Sequence, residues 1–281
     1  MITLCANTFF EKQIDYDTMF PSIPNENIIY VAMSGGMESV LLAYLITQHY
    51  PSHTIIPFTG VTSDRRQWEP QQCISALQDC IPSLIEHHVI ANAGMTFDQA
   101  NNIRLQFEEE DRTPEGYYNP ENRMMAMILE VMGIDNPTQQ YVFTGKNWST
   151  MDPENINEQQ QAAFRQSELS KYIIRPFLGL SKEHIISLFH HENKADWVQH
   201  TFSCIDAVSM QELITQEDGT ESQVTTYMHC GGCHACWDRR QGHVMLNLTD
   251  PTTYVLEPEE LPRILREEYD SHLIARQEGF A

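Results

Sequence analysis

Residues 28–45 read Ile28-Ile29-Tyr30-Val31-Ala32-Met33, then Ser34-Gly35-Gly36-Met37-Glu38-Ser39, then Val40-Leu41-Leu42-Ala43-Tyr44-Leu45. The first six form a continuous apolar run suited to a buried strand, the last six open an apolar helix, and two glycines mark the turn between them. A strand that passes through Ser-Gly-Gly straight into a helix leaves several backbone N–H groups aimed at one spot, with the positive end of the helix dipole behind them. Such a spot holds an anion. Gly35 and Gly36 leave room for close approach of a phosphate, and a nest of successive N–H groups needs the positive φ that glycine adopts freely. A lone Gly-Gly pair is ordinary in a turn of this kind; the hydroxyls of Ser34 and Ser39 make this one a candidate phosphate site. The stretch is not a Walker loop, because no Gly-Lys-Ser/Thr follows, nor a dinucleotide fingerprint, because Gly-x-Gly-x-x-Gly is absent.

Outward from this turn, strand-like and helix-like patterns alternate. Residues 54–58 read as a second strand, 71–84 as a helix with Ile74, Leu77 and Ile81 on one face, and 87–90 as a third strand. Helices are expected over 96–107 and 121–132, the latter with Met124, Met127, Ile128 and Val131 inward as core methionines and aliphatics. Strands follow at 141–144 and 172–177, and Ser181 caps a further helix. Repeated βα units predict an α/β fold, a parallel five-stranded sheet with helices on both faces, whose ligands sit beyond the carboxyl ends of the strands. Gly35, Asn147 and Lys182 fall near that edge. An acidic amphipathic helix over 257–277, with Leu261, Ile264 and Leu265, is expected to pack on the core or on a partner subunit.

The composition narrows the class. A chain of 281 residues makes one large domain or one and a half. Seventeen basic residues against thirty-nine acidic ones give a formal charge of −22, a field that repels nucleic-acid backbones and anionic lipid. Arg65-Arg66 and Arg239-Arg240 are too small to track a phosphate backbone, and Glu108-Glu109-Glu110-Asp111 reads as a solvated helix end or loop. A small-molecule substrate is therefore expected, with no extended nucleic acid and no membrane as partner. No apolar run of 18 residues occurs and the first twenty residues lack a signal-type apolar stretch, so a cytoplasmic protein is expected.

Seven cysteines are used unevenly. Cys5, Cys73 and Cys80 are scattered and read as free buried thiols. Cys230, Cys233 and Cys236 recur at two-residue intervals around Gly231 and Gly232, and Cys204 can complete a set of four. Four sulfurs suit a closed tetrahedral zinc site of structural type. An iron–sulfur cluster is the rival, since ferredoxins share the spacing, but they commonly follow the last cysteine with proline, which is absent here. His229 or His234 could replace one sulfur.

The loop Ser34-Gly35-Gly36-Met37-Glu38-Ser39 resembles the SGGxDS pyrophosphate loop of the PP-loop ATPases, with Glu38 where that class usually has aspartate. The order of this loop, Asn122-Arg123, Gly145-x-Asn147, Arg175-Pro176-Phe177-Leu178 with Lys182, Thr201-Phe202-Ser203-Cys204, and Cys230-Gly-x-Cys233-x2-Cys236-x2-Arg239-x2-Gly242 is similar to the 7-cyano-7-deazaguanine synthases, over roughly residues 28–243. The resemblance implies a PP-loop fold of the adenine nucleotide alpha hydrolase type. It also implies an ATP-dependent ligase that joins 7-carboxy-7-deazaguanine and ammonia through an adenylated carboxylate, yielding first an amide and then a nitrile used in queuosine-type bases. Met33, Ser34, Gly35, Gly36, Met37, Glu38, Ser39 and Lys182 would then bind ATP, with Ser34, Glu38 and Lys182 catalytic and Glu38 helping to hold Mg2+. Asn122, Arg123, Asn147, Asp152 and Arg239 would bind substrate, and Cys204, Cys230, Cys233 and Cys236 would bind zinc.

A homodimer is implied as well. The expected organisation is an N-terminal extension (1–27), an ATP-binding α/β domain (28–200), a four-cysteine zinc region (201–245) and an acidic helical tail (246–281). The chain departs from the family pattern at Glu38, at Thr59-Gly60-Val61-Thr62 in place of a Tyr-Gly-Gln run, and in a longer stretch between Cys204 and Cys230. Two alternatives stay open. One is a related ligase adenylating another carboxylate, on a nucleobase or a protein end; the other is a catalytically silent, zinc-stabilised binding module.

Overall fold

The computed structural model describes residues 1–6, 8, 11–61, 68–92, 128–134, 140–145, 173–215 and 220–277. The chain begins with a short antiparallel pair, β1 (Ile2–Leu4) and β2 (Lys12–Ile14), and one helical turn, α1 (Tyr16–Met19). Strand β3 (Ile28–Ala32) then enters the middle of a parallel sheet and leads into helix α2 (Met37–His49). Strand β4 (Thr54–Val61), helix α3 (Glu69–Cys80) and strand β5 (Val89–Asn92) extend the sheet on one side of β3; β6 (Gln140–Phe143) and β7 (Ile173–Ile174) extend it on the other. The spatial order is β5-β4-β3-β6-β7, with every pair parallel. Chain direction across the sheet therefore reverses at β3, and an open parallel sheet has its ligand crevice at such a switch point.

Period-two side chains give the sheet two cores. Ile29 and Val31 face one, which α2, α3 and helix α4 (Lys182–His191) close with Leu41, Leu42, Leu77, Ile185 and Phe189. Tyr30, Phe58 and Val142 face the other, beneath Ile128 and Leu129. Helix α2 is apolar almost all round because it lies between the sheet and its neighbouring helices. It stops at Tyr50, whose N–H closes on Ile46 O, because Pro51 cannot continue it. Helix α3 starts with Pro70 in its first turn and ends four residues earlier than its periodicity predicts. Pro82 interrupts the ladder, and Pro82–His87 forms a 3-10 turn instead. At α4, the Ser181 N–H donates to His184 Nδ1 at 2.9 Å and its Oγ lies 2.8 Å from the same nitrogen, a capping box with histidine in the place of glutamate.

Three expectations change. The N-terminal segment is integral rather than appended, because Leu4, Ile14, Phe20 and Ile23 belong to the main core. Val131 points outward at 58% exposure, and Leu129 takes the inward position. The C-terminal helix is split: a 3-10 turn at Pro258–Glu260 stops at Leu261-Pro262 before α6 (Arg263–Gln277). Leu261 is buried against Trp237 and Tyr269, so it offers no partner surface. The helices expected at 96–107 and over most of 121–132 lie outside the described residues. Between Cys204 and Cys230 the chain forms an antiparallel ribbon, β8 (Val208–Thr215) and β9 (Glu221–Met228), in register from Val208 opposite Met228 to Thr215 opposite Glu221. Helix α5 (His234–Met245) follows the cysteines. Among the described residues no helix is long and apolar enough to cross a membrane.

Candidate active site

Strand β3 reaches the carboxyl edge of the sheet with the Met33 N–H donating to Phe58 O at 2.7 Å. Gly35 then takes φ +75°, the left-handed region that strains any side chain, and a Cβ there would press on Cys73 N and Gln72 C at 3.3 Å. Gly36 is extended and immediately precedes α2. A Cβ on Gly36 would stand 3.4 Å from both Ser34 Oγ and Ser203 Oγ and 3.6 Å from Glu38 Oε2, in the hollow of the turn. Gly145, just past β6, lies so close to the start of α2 that a Cβ would meet Glu38 C at 2.9 Å and Ser39 N at 3.0 Å.

The two serines brace the loop. Ser39 Oγ donates to Gly36 O at 3.0 Å and accepts from the Ser34 N–H at 3.2 Å, while Ser34 Oγ lies 3.3 Å from Ser39 Oγ and accepts from the Gly36 N–H at 3.4 Å. Met33 and Met37 bury their side chains in the core, so only their backbone can face a ligand. Lys182, the first residue of α4, forms a largely buried ion pair with Glu38 Oε1, which leaves Oε2 beside Gly36. One cation, one carboxylate and the opening turn of a helix thus converge at the switch point. Asn122, Arg123, Asn147 and Asp152 lie outside the described residues.

The four cysteines come together from two segments. The Sγ atoms of Cys204, Cys230, Cys233 and Cys236 all lie within 4.8 Å of one another, so this set could hold a metal ion. Cys204–Cys233, Cys230–Cys236 and Cys233–Cys236 measure 3.8, 4.0 and 3.5 Å. A single ion held tetrahedrally by thiolates at about 2.3 Å sets sulfurs about 3.8 Å apart. Backbone N–H groups of Cys230 and Gly232 donate to Cys204 and Cys230 sulfurs at 3.3 and 3.4 Å, as they would to thiolates. Hydrogen bonds from Cys204, Cys230 and Cys236 hold the Cys233 thiol far below its ordinary range. His229 stands beside this set rather than in it, its Nδ1 3.9 Å from Cys236 Sγ, and burial, then Arg239, push its ring down to about 4.

Arg239 corrects the expectation of a substrate-facing cation. Its side chain is fully buried, Nη1 donates to Thr201 O and Oγ1 at 3.1 and 2.9 Å, and Nη2 donates to Val198 O at 2.5 Å. Nε lies 3.6 Å from Asp250. Burial alone would raise the Asp250 carboxyl; Arg239, with Tyr254, His243 and Thr252, outweighs it and holds that group below its usual range. These contacts tie the segment before Cys204 to α5. Sequence reading assigned no role to Asp250 or to Ser203, which is visible only as the neighbour of a candidate ligand.

The open parallel sheet thus carries a serine–glycine loop at its switch point, with Lys182 paired to Glu38 of that loop. The chain belongs to the family described as queuosine biosynthesis protein QueC, whose model matches residues 28–247. Two 7-cyano-7-deazaguanine synthases of Methanococcus maripaludis, from strains S2 and C5, are 22% and 21% identical over 248 residues. In each, the match covers 80% of this chain and 97% of the relative. Among solved structures, the U34-tRNA thiolase NcsA from Methanococcus maripaludis with its [4Fe-4S] cluster is 13% identical, with a TM-score of 0.41 over 63% of this chain and 61% of that one.

Proposed function

We propose that the protein is an ATP-dependent carbon–nitrogen ligase that converts 7-carboxy-7-deazaguanine and ammonia to 7-cyano-7-deazaguanine. The observation that carries this reading is the convergence of the Ser34–Ser39 loop, Glu38 and Lys182 at the switch point of a chain matched by this family's model. A carboxylate resists ammonia until one of its oxygens becomes a leaving group. Its oxygen attacks the α-phosphorus of ATP and pyrophosphate departs; ammonia then attacks the acyl carbon and AMP departs with the oxygen, leaving the amide. A second adenylation on the amide oxygen lets AMP leave again, with two protons lost, to give the nitrile.

The residues fit these ligands. The hollow that a Gly36 Cβ would occupy leaves room for a phosphate, and the first-turn N–H groups of a helix such as α2 lack intrahelical acceptors and favour a bound anion. Lys182 would stabilise the charge that accumulates on the departing pyrophosphate. Mg2+, when bound, would neutralise phosphate oxygens, and Glu38 Oε2 is the carboxylate oxygen left to meet it. The sulfur spacing favours one tetrahedral zinc, because a four-iron cluster gives each cysteine its own iron and spreads the sulfurs further apart. That zinc would be structural.

A second reading, adenylation of a different carboxylate such as a protein end, is favoured by the ribbon β8–β9. It projects from beside Cys204 with Met210, Leu213 and Ile214 exposed. Incubation with ATP, Mg2+, ammonia and 7-carboxy-7-deazaguanine, followed by mass spectrometry, separates the two. Nitrile with AMP supports the first, and failure to form nitrile overturns it. AMP formed only when another carboxylate is supplied supports the second. Lys182→Ala is expected to slow AMP release roughly 100-fold or more with bound metal unchanged.

A further inference from the structure

We propose that Ser203 is a further phosphate ligand of the Ser34–Ser39 loop, a hydroxyl delivered from outside the loop by the segment that leads into the cysteine set. The inference deepens the reading above and rests on it. Ser39 Oγ–H is used on Gly36 O, and the Ser34 hydroxyl lies against Ser39 Oγ, so the protons of both loop serines are engaged within the loop. Ser203 Oγ is buried and has no hydrogen-bond partner among the described residues. Buried hydroxyls are rarely left so, because the lost hydration is not replaced. Its oxygen faces the same point in the hollow as Ser34 Oγ, each 3.4 Å from where a Gly36 Cβ would stand. A phosphate in that hollow would supply the missing acceptor.

The backbone around Ser203 is held on both sides. The Phe202 N–H donates to Gly35 O at 2.6 Å, which ties the segment directly to the loop. Two residues before Ser203, Thr201 accepts from Arg239 through both its carbonyl and its hydroxyl. One residue later, Cys204 belongs to the sulfur set. Ser203 is therefore aimed before any anion arrives, and a preorganised donor stabilises charge without a reorganisation cost.

Calorimetric titration of the full chain with magnesium pyrophosphate, magnesium ATP and adenosine tests this. Ser203→Ala is expected to weaken pyrophosphate roughly 10- to 100-fold and ATP similarly, with adenosine affinity, bound metal and melting temperature unchanged. Ser203→Thr keeps the hydroxyl and is expected to bind pyrophosphate more tightly than Ser203→Ala. Binding of pyrophosphate by Ser203→Ala within twofold of the native protein overturns the inference while leaving the phosphate loop standing. Loss of metal or of adenosine binding in parallel with pyrophosphate overturns it too, since the role would then be structural. If the native chain binds neither pyrophosphate nor ATP, the reading of the loop itself fails and the inference with it.

Discussion

Gly35 and Gly36 are adjacent, yet substitution should damage them differently. Gly35 carries φ +75° against the backbone of α3, so Gly35→Ala combines left-handed strain with a tight contact and is expected to cost about 1–3 kcal/mol of stability. Gly36 is extended and its added Cβ would meet only ordinary contacts, so Gly36→Ala should fold with a near-native melting temperature. That methyl nevertheless occupies the hollow, and pyrophosphate affinity is expected to fall at least tenfold. Equal melting with unequal binding would distinguish a cradle from a simple turn. The Gly-Gly pair was legible in sequence because a turn into a helix demands it. Gly145 was not legible as a contact, since its requirement comes from Glu38 and Ser39, more than a hundred residues away. Arg239 misled for a related reason. Its spacing from the cysteines matches the family, but only packing reveals that its guanidinium is committed to Thr201, Val198 and Asp250.

Among the elements, the stretch from Thr201 to Cys204 joins the cysteine set to the Ser34–Ser39 loop through the Phe202–Gly35 hydrogen bond. Chelation of bound metal is therefore expected to weaken pyrophosphate binding several-fold in the native chain and far less in Ser203→Ala, a difference that titration before and after chelation would read. The Arg239–Asp250 pair secures the same stretch from α5. Asp250 has a folded-state pKa below its unfolded value, so the unfolded chain binds more protons as the solution acidifies. Its contribution is present above about pH 4 and is lost as pH falls through the folded value. Asp250→Asn is expected to cost about 2–4 kcal/mol near pH 7, and the gap between the native and variant denaturation midpoints should narrow below about pH 4. Helix periodicity located α3 and α4, whereas ends were set by chemistry that periodicity does not weigh, with prolines at 82 and 262 cutting the 71–84 and 257–277 patterns short. The β8–β9 ribbon had no clear alternation because its two strands hydrogen-bond to each other and leave many side chains exposed.

For the whole molecule, described side chains of the N-terminal segment belong to the principal core. Leu4, Ile14, Phe20 and Ile23 are each less than a tenth exposed, and burying such side chains contributes about 1.5–3 kcal/mol apiece before the entropy of ordering. That sum rivals the roughly 5–15 kcal/mol by which a domain is stable. Removing residues 1–26 is expected to abolish cooperative unfolding, as followed by circular dichroism, whereas a detachable extension would leave the transition intact. Sequence alone determined the parallel α/β class, the glycine turn that opens α2, the four cysteines that could hold a metal and the family, because each rests on local periodicity or short-range spacing that the backbone converts directly into geometry. Tertiary structure alone decided that Lys182 meets Glu38, that Ser203 faces Gly36, that Arg239 is a buried tie and that the N-terminal segment is core. Those outcomes depend on which distant surfaces pack together, and burial and pairing across the sheet edge are properties of the closed fold rather than of any single segment.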